Sequence, residues 1–274
     1  MMRINTSVKM FLSLLLMGGA CWAGSHAGSS AGCQADQAWP DSVEGILKRL
    51  RQRTAKTASY QAKVEYRYMQ PLLESESLRK GVLYYAKFGK RSKLRMNFQT
   101  LKQEDEKEQQ YVEHFIFDGV WLTHIDYQLK AIKRYQVVEP NQPADAFELA
   151  SKNLPIIGFT KIEDLRRHFE VKLVEPSKDD QKNLIHLHLK TKPGSMYKDQ
   201  YASIDFWIDK KLGLPAKVVA VTTDPEPPFA DVYQIRFLQP KVNHKIDEKL
   251  FEFTVPDDFG EPEIIPLNRK ASWK

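Results

Sequence analysis

The 274-residue sequence offers few groups arranged for chemistry. His186 and His188 stand two apart, so on a strand they share a face and supply half of a zinc site, with His168 or His124 as a candidate third ligand. No cysteine or carboxylate completes a recognised ligand spacing around them, and a polar outer strand face explains the pair equally well. Asp179-Asp180 and Asp257-Asp258 are adjacent carboxylates in expected loops. Paired catalytic acids converge from separate elements, so these read as solvated charge. Nothing suggests a serine at a strand-to-helix elbow or a cysteine with a basic partner. No catalytic residue, metal or cofactor is therefore assigned, and the residues point to binding rather than to reaction.

Charge is equally undirective. Arg91, Lys93 and Arg95 form a basic stripe on one face of an expected strand, opposite Leu94, Met96 and Phe98. The stripe is either a solvated face or a receiver of anionic headgroups or an acidic membrane partner. Net charge is +6, and it falls to +4 when Arg3 and Lys9 leave with the amino-terminal segment. An excess this small and dispersed, behind an export signal, argues against nucleic acid.

That signal occupies residues 1–23. Arg3 and Lys9 precede the apolar run Met10 to Met17, and Gly18, Gly19 and Ala20 follow. The run is shorter than the ~20 residues a permanent membrane helix needs, and no comparable stretch follows it. Cleavage after Ala23 would discard Cys21 and leave Cys33 alone, so the mature fold stands without an internal disulfide. Either cysteine could carry a lipid anchor, although Gly18-Gly19-Ala20-Cys21 lacks the usual leading aliphatic residue and Cys33 lies far past the apolar run. Residues 24–40 then read as a flexible leader, and residues 41–268 as one β domain before the tail 269–274.

At the start of that domain, Val43, Ile46, Leu47 and Leu50 fall at helical spacing behind an Asp41/Glu44 capping box, so one amphipathic helix opens it. The period then changes to two. Val64, Tyr66 and Tyr68 alternate with Lys63, Glu65 and Arg67, and the same rhythm returns around Leu94, Ile204 and Ile235. Asp118-Gly119, Pro193-Gly194 and Lys210 to Gly213 supply hairpin breaks. No βαβ rhythm appears, and so many strands favour a barrel or a strongly curved sheet over long exposed edges. The alternation lapses between Gln142 and His168. There Ala144 to Lys152 reads as a short helix, followed by the apolar Leu154 to Phe159, with Ile162, Leu165 and Phe169 hinting at further helical turns. This insertion is either a plug that completes the core or a lid over an apolar cavity.

Several motifs now carry a resemblance. Gly81-Val82-Leu83-Tyr84-Tyr85-Ala86-Lys87, Phe117-Asp118-Gly119-Val120-Trp121-Leu122, Ala146 to Ala150, Ile204 to Asp209, Gly213-Leu214-Pro215 and the closing Phe251-Glu252-Phe253-Thr254-Val255-Pro256 resemble the LolA family of lipoprotein carriers, in that order and across essentially the whole mature chain. The resemblance implies a mainly β fold: an incomplete, unclosed antiparallel barrel of about eleven strands with an N-terminal helix and a central helical lid. It implies a periplasmic, monomeric carrier that holds lipid or lipoprotein acyl chains, takes cargo from an inner-membrane release complex and delivers it to an outer-membrane acceptor. A long acyl chain gains ~10 kcal/mol at ~0.8 kcal/mol per buried methylene, before ordering costs.

The same resemblance places a lid anchor at Lys87, which lacks the planar fork of arginine, so a bidentate lock is not carried over. Alternation nominates Leu83, Tyr85, Leu94, Met96, Phe115, Phe117, Ile204 and Phe206 for the cavity, with Phe147, Leu149 and Ile157 from the lid. It defines two faces without saying which is concave, and ordinary core is the bland alternative for each residue. Two other functions stay open: a periplasmic lipid sensor or scaffold that contacts a membrane-bound signalling protein, and a LolB-like acceptor anchored at Cys21 or Cys33.

Overall fold

The computed structural model describes residues 38–89, 91–141, 162–175 and 183–267. The opening helix, α1 (Val43–Ala55), forms as its spacing predicts and buries Ile46, Leu47 and Leu50. Its cap differs from the expected one. Ser42, in extended conformation, holds the cap position, and its hydroxyl accepts from Gly45 N–H at 3.1 Å. The expected box fails because Asp41 lies one residue too early and Gly45, not an acid, stands three residues after Ser42.

Six strands follow as a meander: β1 (Ser59–Gln70), β2 (Ser75–Phe88), β3 (Arg91–Gln103), β4 (Gln109–Phe117), β5 (Trp121–Asp126) and β6 (Ala131–Gln136). A short helix, α2 (Ile162–His168), leads into a second meander of β7 (Phe169–Val174), β8 (Leu184–Thr191), β9 (Tyr201–Asp209), β10 (Leu214–Thr222) and β11 (Val232–Val242). Antiparallel pairing of β1 with β11 joins the two halves. A three-residue strand, β12 (Glu263–Ile265), then adds parallel to β6. The result is one twelve-stranded sheet in the order β12-β6-β5-β4-β3-β2-β1-β11-β10-β9-β8-β7. Eleven strands are antiparallel, as expected for an unclosed barrel, and the two ends of the order do not pair with each other.

The sheet bends at register shifts, among them one between Lys80 and Gly81 opposite another between Phe98 and Thr100. Gly81 is required there. A Cβ on it would stand 2.1 Å from the Asn97 carbonyl oxygen, backbone that cannot step aside. The bare position also leaves room for Tyr66 of β1 and Phe98 of β3 to meet across β2, with ring centroids 6.4 Å apart. Turn chemistry matches the sequence at two hairpins. Gly119 and Gly213 take φ of 104° and 66°. The Asp118 carboxylate accepts from Val120 and Trp121 N–H, and Asp209 does the same for Lys211 and Leu212.

Residue parity assigns the faces. Tyr60, Ala62, Val64 and Tyr66 of β1, Leu83 and Tyr85 of β2, Leu94, Met96 and Phe98 of β3, Phe115 and Phe117 of β4 and Leu122 of β5 join α1 in one continuous apolar core. Ile204, Phe206 and Ile208, with Ile185, Leu187 and Leu189, extend it through β9 and β8. This is the inner face. The outer face carries a separate small cluster of Ile116, Ile125 and Ile132.

Candidate functional site

All eight strand residues nominated for the cavity lie on the inner face. Leu83, Tyr85, Leu94, Met96, Phe115, Phe117, Ile204 and Phe206 are each 0–1% exposed and belong to one apolar cluster. Helix α1 makes its more extensive contacts with β7, β10 and α2, so it lies over the second meander. Phe147, Leu149 and Ile157, nominated for the lid, lie outside the described residues. Aromatic rings run across the face from β11 to β5. Tyr68 stacks on Tyr233 at 4.7 Å, Tyr233 approaches Tyr66, and Phe98 meets Phe115 edge-on at 6.4 Å. Burial pushes the phenols of Tyr60, Tyr66 and Tyr201 well above their ordinary range, so these hydroxyls stay neutral at any physiological pH.

Lys87 ends the inner face of β2. Its backbone N–H donates to Ala58, while its Nζ is buried without a hydrogen-bond partner. A cation beside an apolar surface suits an anchoring role, and that role remains a proposal.

At the far end, the hairpin turns gather. Antiparallel order places the β1–β2, β5–β6, β8–β9 and β10–β11 turns at one edge of the sheet, and these turns expose Leu72, Leu73, Leu129, Met196 and Phe229. Five of the exposed large hydrophobics among the described residues therefore gather on this rim.

A buried polar group on β4 and β5 interrupts the inner face, and of its residues sequence reading noticed only His124. Glu113 shares the inward parity of Phe115 and Phe117, and it faces Asp126 directly across β4 and β5. His124 Nε2 lies 2.7 Å from Glu113 Oε1, and the Phe115 ring stacks flat on the imidazole at 4.5 Å. Arg79 Nη1 stands 3.7 Å from Glu113 Oε2, with its guanidinium over the Tyr111 ring. A charged residue at an inward position of an otherwise apolar strand was the available signal.

Of the histidines considered together in the sequence, His186 and His188 share a face and converge on one carboxylate, and His124 does not join them. His186 and His188 sit on the outer face, where both bond the Asp205 carboxylate, at 2.7 and 2.9 Å, while His124 points inward. His186 also stacks on Trp207 at 4.2 Å. His168 ends α2. Of the paired acids, Asp258 bonds Lys130 at 2.8 Å on the surface, and Asp179 and Asp180 lie outside the described residues.

Two residues of the basic stripe, Lys93 and Arg95, are engaged by the chain itself, while Arg91 is exposed. A 3-10 turn at Glu248–Phe251 begins a strap that crosses the outer face. Arg95 donates from Nη1 to the carbonyls of Leu250 at 2.7 Å and Glu252 at 3.2 Å, and Lys93 pairs with Glu248 at 2.9 Å. Phe251 is buried with its ring edge-on to Phe88, and Phe253 and Phe259 pack on the Ile116 cluster. The terminal Phe motif is thus a fastener for the outer face.

No family model matches the chain, and no curated protein does. Among solved structures, the chain is similar to an uncharacterised conserved protein from Thermus thermophilus, at 12% identity and a TM-score of 0.46, covering 82% of this chain and 98% of that one. It is similar to MucB in the MucA/MucB complex of Pseudomonas aeruginosa, at 16% identity and a TM-score of 0.41, covering 76% of this chain and 60% of that one. It is also similar to a LolA superfamily protein from Nitrosomonas europaea, at 13% identity and a TM-score of 0.33, covering 77% of this chain and 97% of that one. Among the described residues, no helix is long and apolar enough to cross a membrane.

Proposed function

We propose that the protein is a periplasmic carrier that takes acyl chains of a lipid or lipoprotein against the inner face of its sheet and ferries them between membranes. The observation that supports this most is an apolar face running across both meanders of a sheet whose edge strands do not pair with each other. Such a surface offers ~25 cal/mol per Å2 of apolar area to any acyl chain that replaces water or a cover there. The binding groups are Leu83, Tyr85, Leu94, Met96, Phe115, Phe117, Ile204 and Phe206, with Phe147, Leu149 and Ile157 as the cover and Lys87 as its anchor. The exposed rim of Leu72, Leu73, Leu129, Met196 and Phe229 gives an acyl chain a first apolar contact on its way in. Binding, with no covalent step, is the role these groups support.

Native mass spectrometry of the protein purified from its periplasm, followed by solvent extraction, tests the reading. Acyl-bearing species should dissociate from the intact chain, and a fluorescent fatty acid should bind and be displaced by a diacylated peptide. A protein that arrives without acyl species and has no affinity for either probe is not a carrier. If it instead comes away with a stoichiometric membrane-protein domain and no acyl chain, a scaffold takes the carrier's place.

A further inference from the structure

We propose that Glu113, His124 and Asp126 form a binding site for one divalent transition-metal ion, zinc by preference, on the inner face where β4 meets β5. The three residues are 0%, 5% and 8% exposed, and one ligand atom from each lies within 4.8 Å of the others. Two carboxylates directly opposed across a strand pair repel each other, and burial sharpens the cost. The protein meets only part of it. Asp126 Oδ1 accepts from Gln128 and Leu129 N–H at 3.0 and 2.9 Å, and Glu113 Oε1 faces His124 Nε2 at 2.7 Å. Glu113 Oε2 is buried with no hydrogen-bond partner, Arg79 standing off at 3.7 Å. A fully buried acceptor without a hydrogen bond, beside an imidazole and a second carboxylate, is a donor set that suits a metal ion.

The details favour zinc over a hard cation. Calcium and magnesium take oxygen ligands, and imidazole suits zinc and its neighbours. Arg79 offsets one carboxylate charge, which penalises an ion held by charge alone more than one held by directed Zn–N and Zn–O bonds. The flat stack on Phe115 fixes the plane of the His124 ring. With bonds of ~2.0–2.1 Å, an ion taking the place of the proton shared by Nε2 and Oε1 spreads these atoms by about 0.6 Å, within side-chain reach. Asp126 closes β5 beside the Tyr127 to Lys130 turn, so the ion reaches the site from the rim.

The test uses the full chain, stripped with a chelator and titrated with Co2+ followed by visible absorption, then with Zn2+ and elemental analysis after gel filtration. One equivalent should be retained. Asp126→Asn, which keeps the turn-forming acceptor, and His124→Gln should each weaken binding at least tenfold, while a His186→Ala/His188→Ala double variant binds as wild type. Zinc should also raise the Tm of wild type and not of Asp126→Asn, a readout that stands if His124→Gln folds poorly. No retained metal in the wild type overturns the proposal, as does an equivalent that survives in Asp126→Asn or disappears with the outer histidines.

Discussion

Arg95→Ala should release the strap on the outer face without opening the inner one. The guanidinium makes two charge-assisted bonds to strap carbonyls, at 2.7 and 3.2 Å, and a third to Asn97 Oδ1 at 2.8 Å. Hydrogen bonds to a charged group contribute about 1.5–3 kcal/mol each, and the half-buried setting with one long bond favours the lower end. The loss should be about 2–4 kcal/mol, read as a shift in urea midpoint at constant slope. Phe251→Ala should cost about 3–5 kcal/mol through a cavity beneath the same strap. Because both substitutions free one segment, the double variant should fall short of the sum by about 1 kcal/mol, the scale of coupling within a shared element. Hydrogen exchange should rise in residues 248–259 and stay slow in β2 to β4. A change under about 0.5 kcal/mol, or additive losses with no local exchange, would refute the clamp.

Gly81→Val should destabilise the chain by about 2–4 kcal/mol on thermal unfolding, since its Cβ must displace the Asn97 carbonyl, and a loss under about 1 kcal/mol would show that the bulge can relax. Burial, with the Arg95 charge second, holds the His114 imidazole down to about 4. The unfolded chain binds that proton near ~6.5 and the folded chain does not, so stability is full above that pH and declines as pH falls towards about 4. His114→Gln should flatten that part of the urea-midpoint profile, and an unaltered slope would assign it elsewhere. Phe147→Asp should weaken uptake of a fluorescent fatty-acyl probe roughly ten- to a hundredfold, as one apolar contact of ~1.5–3 kcal/mol implies. The far-ultraviolet circular dichroism should stay unchanged, and unaltered affinity would remove Phe147 from the ligand's surroundings.

The strands were legible because each is half-buried and the period of two survives in the sequence. The hairpin at Asp118-Gly119 was legible because positive φ selects glycine. Which parity faces inward was not, since Ile116, Ile125 and Trp121 make the outer parity apolar too, under a strap that begins at Glu248. Nothing local to Arg95 announces that its partner carbonyls lie at Leu250 and Glu252, so the stripe read either as solvated charge or as a receiver of headgroups or an acidic partner. His124 was noticed for its chemistry but joined to the wrong companions. Ring type is local, whereas the approach of Glu113 and Asp126 depends on the β4–β5 register. The Asp41 cap failed by one residue, the usual scale of error where a hydroxyl and a carboxylate stand side by side.

The strap also sets an order of events during synthesis. Glu248 to Ile265 are made after every strand they cover, so until they arrive Ile116, Ile125 and Ile132 stand bare and β6 has an unpaired edge. A chain interrupted before Phe251 therefore carries a greasy patch that only its own missing residues could hide, and a chaperone or protease reading exposed hydrophobics can tell the unfinished copy from the finished one.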